Sequence, residues 1–389
     1  MTGGHAHAAP ESRRLRTIAL LVIAPIALLT LAAMVWLWPS GDTQGAEDAA
    51  GTQVAGKVTS IDRVSCEDGL TGETNGCGTA QVRLLDGDAA GRDVEVDLPN
   101  GSGAPEIGEG DSVVVLVSDT PDGDVYSVVD LQRGTGLWLL VLASALALFA
   151  FGRWRGITAL AGLVVTFAVL LWFIVPAILD GESPILVALV GSAAIMLSVL
   201  YLTHGFTLAT TVALLGTVAS FVLTGLLAYV AVAGLHLTGV TDDLSEAVGT
   251  NYDIDMRGLL LAGIVIGSLG VLDDITVTQA ATVGELARAN PGYGFRQLYG
   301  SANRVGRAHI ASVVNTIILA YAGSSLPVLV LVVADNGSLA EAVTDQFLAQ
   351  EIVRSLVATL GLIAAVPITT ALAAVALSRV RDEPVPADD

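Results

Sequence analysis

GLLLAGIVIGSLGVLDDITVTQAATVGELAR, residues Gly258 to Arg288, is an apolar run that carries two adjacent carboxylates, Asp273 and Asp274, near its middle. At about 1.5 Å per residue, a helix over this stretch is roughly 46 Å long and exceeds a hydrocarbon core of about 30 Å. An ionised Asp at the centre of a spanning helix costs about 2.5–3.5 kcal/mol on insertion scales, so such acids are expected to face a bundle interior, a base or an ion path. The helical period places Gly270, Gly267, Gly263 and Thr278 on the same face as Asp274. That face is small and polar. Small residues at this spacing let a second helix approach closely, so Asp274 is expected to point at a packed neighbour. Asp273 is turned about 100° away, toward the side of Thr276 and Ala280. The competing reading is that the helix surfaces early and both acids are solvated at an interface.

The rest of the chain fits a membrane protein. Hydrophobic residues make up 53% of 389 positions, charged residues 14%, and the mean hydropathy is +0.69, which excludes an ordinary soluble globule. The formal net charge is -20. The acids concentrate in segments expected outside the membrane, so they read as solvated surface, and no basic patch suggests nucleic acid.

Residues 1–16 form a polar tail with His5, His7 and Arg13, Arg14 and Arg16; two histidines complete no metal site. Residues 17–38, closed by Trp36, Trp38 and Pro39, read as a retained anchor helix. After a linker at 39–51, residues 52–133 switch to β-type alternation. Strands are expected at Val54–Asp62, Thr79–Leu85, Arg92–Leu98, Ser112–Ser118 and Val125–Leu131, a pattern that suggests a small barrel of the OB or SH3 kind. No aromatic platform in them points to stacked bases or sugars. Cys66 and Cys77 lie between the first two strands. In an exterior domain they are expected to form a disulfide, since two cysteines with no companion His cannot fill a tetrahedral site.

From residue 137 to 378 the chain is nearly all membrane. Spans are expected at Leu137–Phe151, Ile157–Leu179, Ile185–Thr203, Phe206–Leu235, Gly258–Thr282, Ile310–Val333 and Ile352–Leu377, which with the anchor gives about eight. The fold class is thus a polytopic α-helical membrane protein with a small extracytoplasmic β domain between its first two helices. One set of loops holds Arg153, Arg155, Arg288, Arg296, Arg304 and Arg307 and the basic residues of both tails, 379–389 included, whereas the opposite loops hold only Arg257 and Arg354. By the positive-inside rule both termini are cytoplasmic in the cell membrane and the β domain is outside. His236 to Met256 is acidic without calcium-loop spacing and reads as a solvated exterior segment. Ala289 to Ala308, opened by Pro291-Gly292, is expected to lie along the inner interface as an amphipathic helix.

The next span is the second polar helix. His309, Ser312 and Thr316 share a face, with Asn315 adjacent. Joined to the Asp helix by one loop, it should pack antiparallel and bring its start toward the Asp pair, which makes Arg307 and His309 the nearest candidate counter-ions.

Two stretches carry a resemblance. GSLGVLDDITVTQAATVGEL (Gly267–Leu286) and GRAHIASVVNTIILAYAGSSLP (Gly306–Pro327), following an exterior β domain, resemble the YibE/F-like family of bacterial membrane proteins. GVLDDITV (Gly270–Val277) is also similar to the Asp-pair segment in the fourth helix of RND-type proton-driven exporters, and Asn315-Thr316 to a polar pair in the SecDF translocation helpers. That second likeness implies a proton-linked transporter or export helper with Asp273 and Asp274 as protonated carriers. Thr278, Arg307, His309, Ser312, Asn315 and Thr316 are then the candidate relay. Those families have six spans per repeat and a second copy of it, so the likeness also implies a homodimer or a paralogous membrane subunit, besides the lipid bilayer and an exterior partner. The alternative is a non-transporting scaffold whose Asp pair fixes helix packing. A hydrolase is disfavoured because adjacent residues on one helix diverge by about 100° and cannot hold one water as a dyad, and no Ser/His/Asp, zinc-protease or phosphate-loop pattern occurs. No cofactor or metal is expected.

Overall fold

The computed structural model describes residues 13–39, 52–64, 74–101, 103–120, 123–334 and 344–381. The chain divides into two compact units, one of residues 41–153 and one of residues 1–40 with 154–389.

The first unit holds an open antiparallel sheet in the order β3-β2-β1-β4-β5, made of β1 (Thr52–Val64), β2 (Cys77–Leu84), β3 (Asp93–Asp97), β4 (Ser112–Thr120) and β5 (Gly123–Leu131). Each strand falls within a few residues of its expected place. The long β1 pairs with both β2 and β4 and carries a bulge between Val58 and Ser60, which bends the sheet. Val58, Val82, Leu84, Val96, Ile107, Val113 and Val115 fill one face. Gly56 is needed there, since a Cβ on it would lie 2.5 Å from Val82. Where a small barrel of the OB or SH3 kind is expected, the strands form an open sheet: β3 comes close to β5, but no ladder joins them among the described residues. Buried Asn75 ties the flanking loops together, donating to the carbonyls of Pro99 and Pro105 and accepting from the Ile107 N–H at 2.9 Å. Cys66 lies outside the described residues, and with it the expected pairing to Cys77, the first residue of β2. Helix α2 (Gly134–Gly152) belongs to this unit; none of its residues is buried.

The second unit is a helix bundle. It comprises α1 (Arg13–Trp36), α3 (Trp154–Val169), a π turn (Leu170–Ile174), α4 (Val175–Leu179), α5 (Pro184–His204), α6 (Leu208–Gly234), α7 (Asp243–Tyr252), α8 (Met256–Ala289), α9 (Phe295–Ser324), α10 (Leu326–Ala334) and α11 (Gln346–Arg381). Among the described residues seven helices are long and apolar enough to cross a membrane, and α1 adds a shorter apolar stretch, Leu21–Trp36. The π turn precedes Pro176, whose missing N–H cannot continue the α register.

Side-chain contacts fix the helix directions. Gly162 meets Val199 and Gly191 meets Ile174, so α3 and α5 are antiparallel. Thr217 lies 2.6 Å from Thr276, and Gly225 meets Val265, so α6 and α8 are antiparallel. Between α6 and α11 the contacts are reciprocal. Gly216 receives the side chain of Thr369, and Gly361 receives that of Thr224, each so closely that a Cβ would overlap the threonine. Small residues let these backbones approach as membrane helices do. Thr217, Ser220 and Thr224 return their hydroxyl protons to carbonyls one turn back, which keeps buried polar atoms satisfied inside an apolar bundle.

Two expected segments differ. The acidic stretch expected to be solvated contains a short helix not expected there, α7, none of whose residues is buried, nucleated by a capping box in which Asp242 accepts from the Ser245 N–H at 2.7 Å. The expected interface helix and the following span are one continuous helix, α9, because no proline interrupts Phe295–Ser324. Gly306 packs it against α8 and α11, where a Cβ would lie 2.8 Å from Gln279 Oε1. The break comes instead at Ser325, two residues before Pro327, whose missing N–H cannot extend the α9 hydrogen-bond ladder and which sits in the first turn of α10.

Candidate functional site

Helix α8 is 34 residues long and unbroken, and Asp273 and Asp274 sit at its midpoint. It buries Leu261, Ile264, Val265, Ser268, Leu272, Ile275, Gln279 and Val283. The other side is open: Gly263, Gly267, Gly270, Asp274 and Thr278 are all exposed. Among the described residues no second helix makes the expected close approach to this face. α8 turns its bulky apolar residues toward α5, α6 and α11 and leaves the small ones outward. Only two long side chains reach the glycines. Arg354 Nη2 lies 3.9 Å from where a Gly263 Cβ would be, and the Tyr321 hydroxyl 3.5 Å from that of Gly267. Gly270 has nothing within 4 Å. This face thus carries Arg354 beside Gly263, Tyr321 beside Gly267 and, past the open Gly270, Asp274.

The two acids have different surroundings. Asp274 is exposed, whereas Asp273 is half-buried and its Oδ1 is fully enclosed without a hydrogen-bond partner. Beside it, Thr276 contacts the Asp273 carbonyl at 3.0 Å and Thr217 at 2.6 Å, which links this turn of α8 to α6. Below the pair, Gln279 is 1% exposed and donates to the Ala302 carbonyl and to Thr370 Oγ1, each at 2.8 Å. This one amide joins α8, α9 and α11.

Helix α9 runs antiparallel to α8, as its one-loop connection implies. Gln279 is level with Ala302, and Gly267 with Tyr321. Asp273 is halfway between the first members of these pairs, and Ala311 and Ser312 halfway between the second. His309, Ser312 and Thr316 therefore stand at the height of the acids. The structure brings the two polar stretches to one level but not into contact. Arg307, His309, Ser312, Asn315 and Thr316 are exposed, and none forms a hydrogen bond or ion pair with either Asp among the described residues. Thr316 donates instead to the Ser312 carbonyl at 3.1 Å.

Gln279, Tyr321 and Arg354 were not singled out from sequence. Gln279 could have been, since an amide inside a spanning helix needs a buried partner. Tyr321 and Arg354 owe their place to the contacts of α9 and α11 with α8, which no spacing reveals. No group of three or more His, Cys, Asp or Glu side chains able to hold a metal occurs among the described residues.

A bundle of long apolar helices, one of them carrying an acid pair at its middle, defines an integral membrane protein. The model of the family described as YibE/F-like protein matches residues 140–379, more than half of the chain, and the chain belongs to that family. No curated protein and no solved structure matches it.

Proposed function

We propose that this chain is a proton-linked transporter or export helper in which Asp273 and Asp274 take up and release protons. The observation that carries the reading is the enclosed, unpartnered Oδ1 of Asp273 at the middle of a candidate span. A carboxylate there is costly when ionised, and protonation relieves that cost, so this is where a proton is exchanged for a conformational gain. The exposed Asp274 next to it serves as the outer donor and acceptor, with Thr278 on its face and the His309, Ser312, Asn315 and Thr316 face of α9, below Arg307, available as relay partners when the helices move. The scaffold alternative requires the acids to hold helices together; Asp274 is exposed and Asp273 Oδ1 bonds to nothing, which favours transport over packing.

The arginine asymmetry and the alternating helix directions support cytoplasmic termini and an exterior sheet. On the same reading Cys66 and Cys77 form a disulfide, and the open glycine face of α8 is where a second copy or a paralogous subunit docks. The test of function is proton uptake by proteoliposomes under an imposed pH gradient. Asp-dependent flux supports the proposal; flux equal to that of empty liposomes overturns it.

A further inference from the structure

Away from the acid pair, the bundle carries an apolar groove of about 610 Å³ between α1 and α5. Ile23, Leu31 and Met34 line it from α1 and Ala194 and Leu197 from α5, with Phe206 at one end. The hydroxyls in its walls are engaged within the protein. Thr30 donates to the Ile26 carbonyl at 2.9 Å, Ser198 to the Ala194 carbonyl at 2.6 Å, and the Tyr201 hydroxyl meets that of Thr211 at 3.4 Å. The walls therefore offer a guest hydrocarbon. The Tyr201 ring stacks on Phe206 at 4.6 Å, whereas Leu31 is 60% exposed, so the groove opens sideways from the bundle.

Its depth in the membrane follows from the packing. Trp38 lies 6.0 Å from Phe173, ring to ring, and Ile174 meets Gly191, so the end of α1 is near the middle of α5. The groove runs from there to Phe206, along the half of α5 that ends at His204. From Ile23 to Met34 it is about 16 Å long, and one leaflet of a hydrocarbon core of about 30 Å is about 15 Å deep. One acyl chain of one leaflet matches that length. A tail gains little on leucines that it does not gain on other tails, so selection among lipids falls to the headgroup. There the charge is one-sided. α1 opens with Arg13, Arg14 and Arg16, the last about 10 Å beyond Ile23 along the helix. Arg155 is exposed in the first turn of α3, which is antiparallel to α5 with Gly162 beside Val199, so that turn lies past His204. Asp180 and Glu182 stand at the opposite end of α5, and no Asp or Glu occurs in residues 13–38 or 184–234. A lipid phosphate at the arginine end meets only opposite charge from these helices, and a headgroup without a compensating ammonium gains most from it.

We propose that this groove seats one acyl chain of an anionic phospholipid whose phosphate lies at the arginine-bearing starts of α1 and α3. The proposal rests on the membrane placement of the bundle and is independent of the acid pair. It is tested with the full-length protein in nanodiscs doped with phosphatidylglycerol or phosphatidylcholine carrying a diazirine on the acyl chain, the adducts being mapped by peptide mass spectrometry. Helix α2, none of whose residues is buried, reports contact with bulk lipid. Relative to α2, labelling of the groove residues of α1 and α5 is expected to be about fivefold higher from phosphatidylglycerol than from phosphatidylcholine, and the preference should shrink at high salt. Changing Arg13, Arg14 and Arg16 together to Gln should remove most of the preference. Ala194→Phe fills the groove and should bring its labelling down to the level of α2. If that variant fails to accumulate, Ala27→Leu narrows the same groove and should lower labelling in the same direction. Equal labelling by the two lipids would mean that the groove is wetted by bulk lipid only and would overturn the proposal. A preference unchanged by loss of the arginines, or labelling unchanged in the groove variant that folds, would overturn it equally.

Discussion

The Gln279 side chain of α8 donates to the main-chain carbonyl of Ala302 on α9 at 2.8 Å, and this bond sets the height at which the polar stretch of α9 meets the acid pair. Gln279→Leu keeps most of the volume but removes the bonds that tie α8 to the Ala302 carbonyl of α9 and to Thr370 Oγ1 of α11, which keeps its own bond to the Val366 carbonyl. Interhelical hydrogen bonds in membranes contribute about 0.6–2 kcal/mol. The variant is expected to fold, with a bundle less stable by about 1–2 kcal/mol in a denaturant titration in detergent micelles. An unchanged midpoint would remove Gln279 from the account of how α9 is placed.

The glycine and threonine pairs between α6 and α11 make a sharper packing prediction. Gly361→Val places a branched side chain where Thr224 already sits, and overpacking of this kind costs about 1–3 kcal/mol. Gly270→Val changes the same residue type on the open side of α8, where nothing lies within 4 Å. Thermal unfolding of the two variants as monomers in detergent should differ, with Gly361→Val strongly lowered and Gly270→Val close to the parent.

In the sheet unit, Arg83 donates to Asp93 through Nε and Nη2 at 3.0 and 2.9 Å, and this hydrogen bonding holds the Asp93 carboxyl below its usual range. A carboxyl depressed by folding contributes stability that is present above its unfolded pKa of about 3.9 and is lost as pH falls through the lower folded value. Asp93→Asn should therefore speed amide hydrogen exchange in β2 and β3 slightly at pH 7 relative to the parent, while at pH values below the lowered folded pKa the two proteins converge. A difference that persists at low pH would assign the effect to something other than the ion pair. Both side chains are largely exposed, so the effect is small.

The cysteine pair is tested by alkylation of native protein without reductant. Neither Cys66 nor Cys77 should be labelled, and both should be after reduction. Closing a loop of about 12 residues stabilises a small domain by about 3 kcal/mol on the chain-entropy estimate, so reduction should also lower the unfolding temperature of the sheet. Labelling of both thiols without reductant would discard the bridge.

Much of this architecture is legible in the residues themselves. Strand alternation from Val54 to Leu131 places all five strands because one face of each is buried and the other wet, and apolar length alone marks the long helices. Closure of the sheet is not legible, since it depends on whether the edges of β3 and β5, which lie near one another, also pair by hydrogen bonds rather than on the pattern within either strand. The direction in which α8 faces is also lost. Gly263, Gly267 and Gly270 signal a close approach, yet the glycines approached at close range include Gly191, Gly216, Gly306 and Gly361 on other helices, and a spacing rule cannot say which of several glycine faces a neighbour will occupy. The acid pair itself was visible at once, because carboxylates in an apolar run conflict with everything around them. Its relation to Tyr321 and Arg354 was not, since that depends on three helices meeting.

The central claim is that the acids carry protons rather than hold helices, and Asp→Asn separates the two, because it preserves volume and much of the hydrogen bonding while abolishing titration. The most direct measurement is decay of an imposed pH gradient in proteoliposomes containing the parent, Asp273→Asn and Asp274→Asn at matched amounts of folded protein. The account predicts that the parent dissipates the gradient, that Asp273→Asn reduces the rate to that of empty liposomes, and that Asp274→Asn reduces it comparably. Decay in both variants at the parent rate would contradict it.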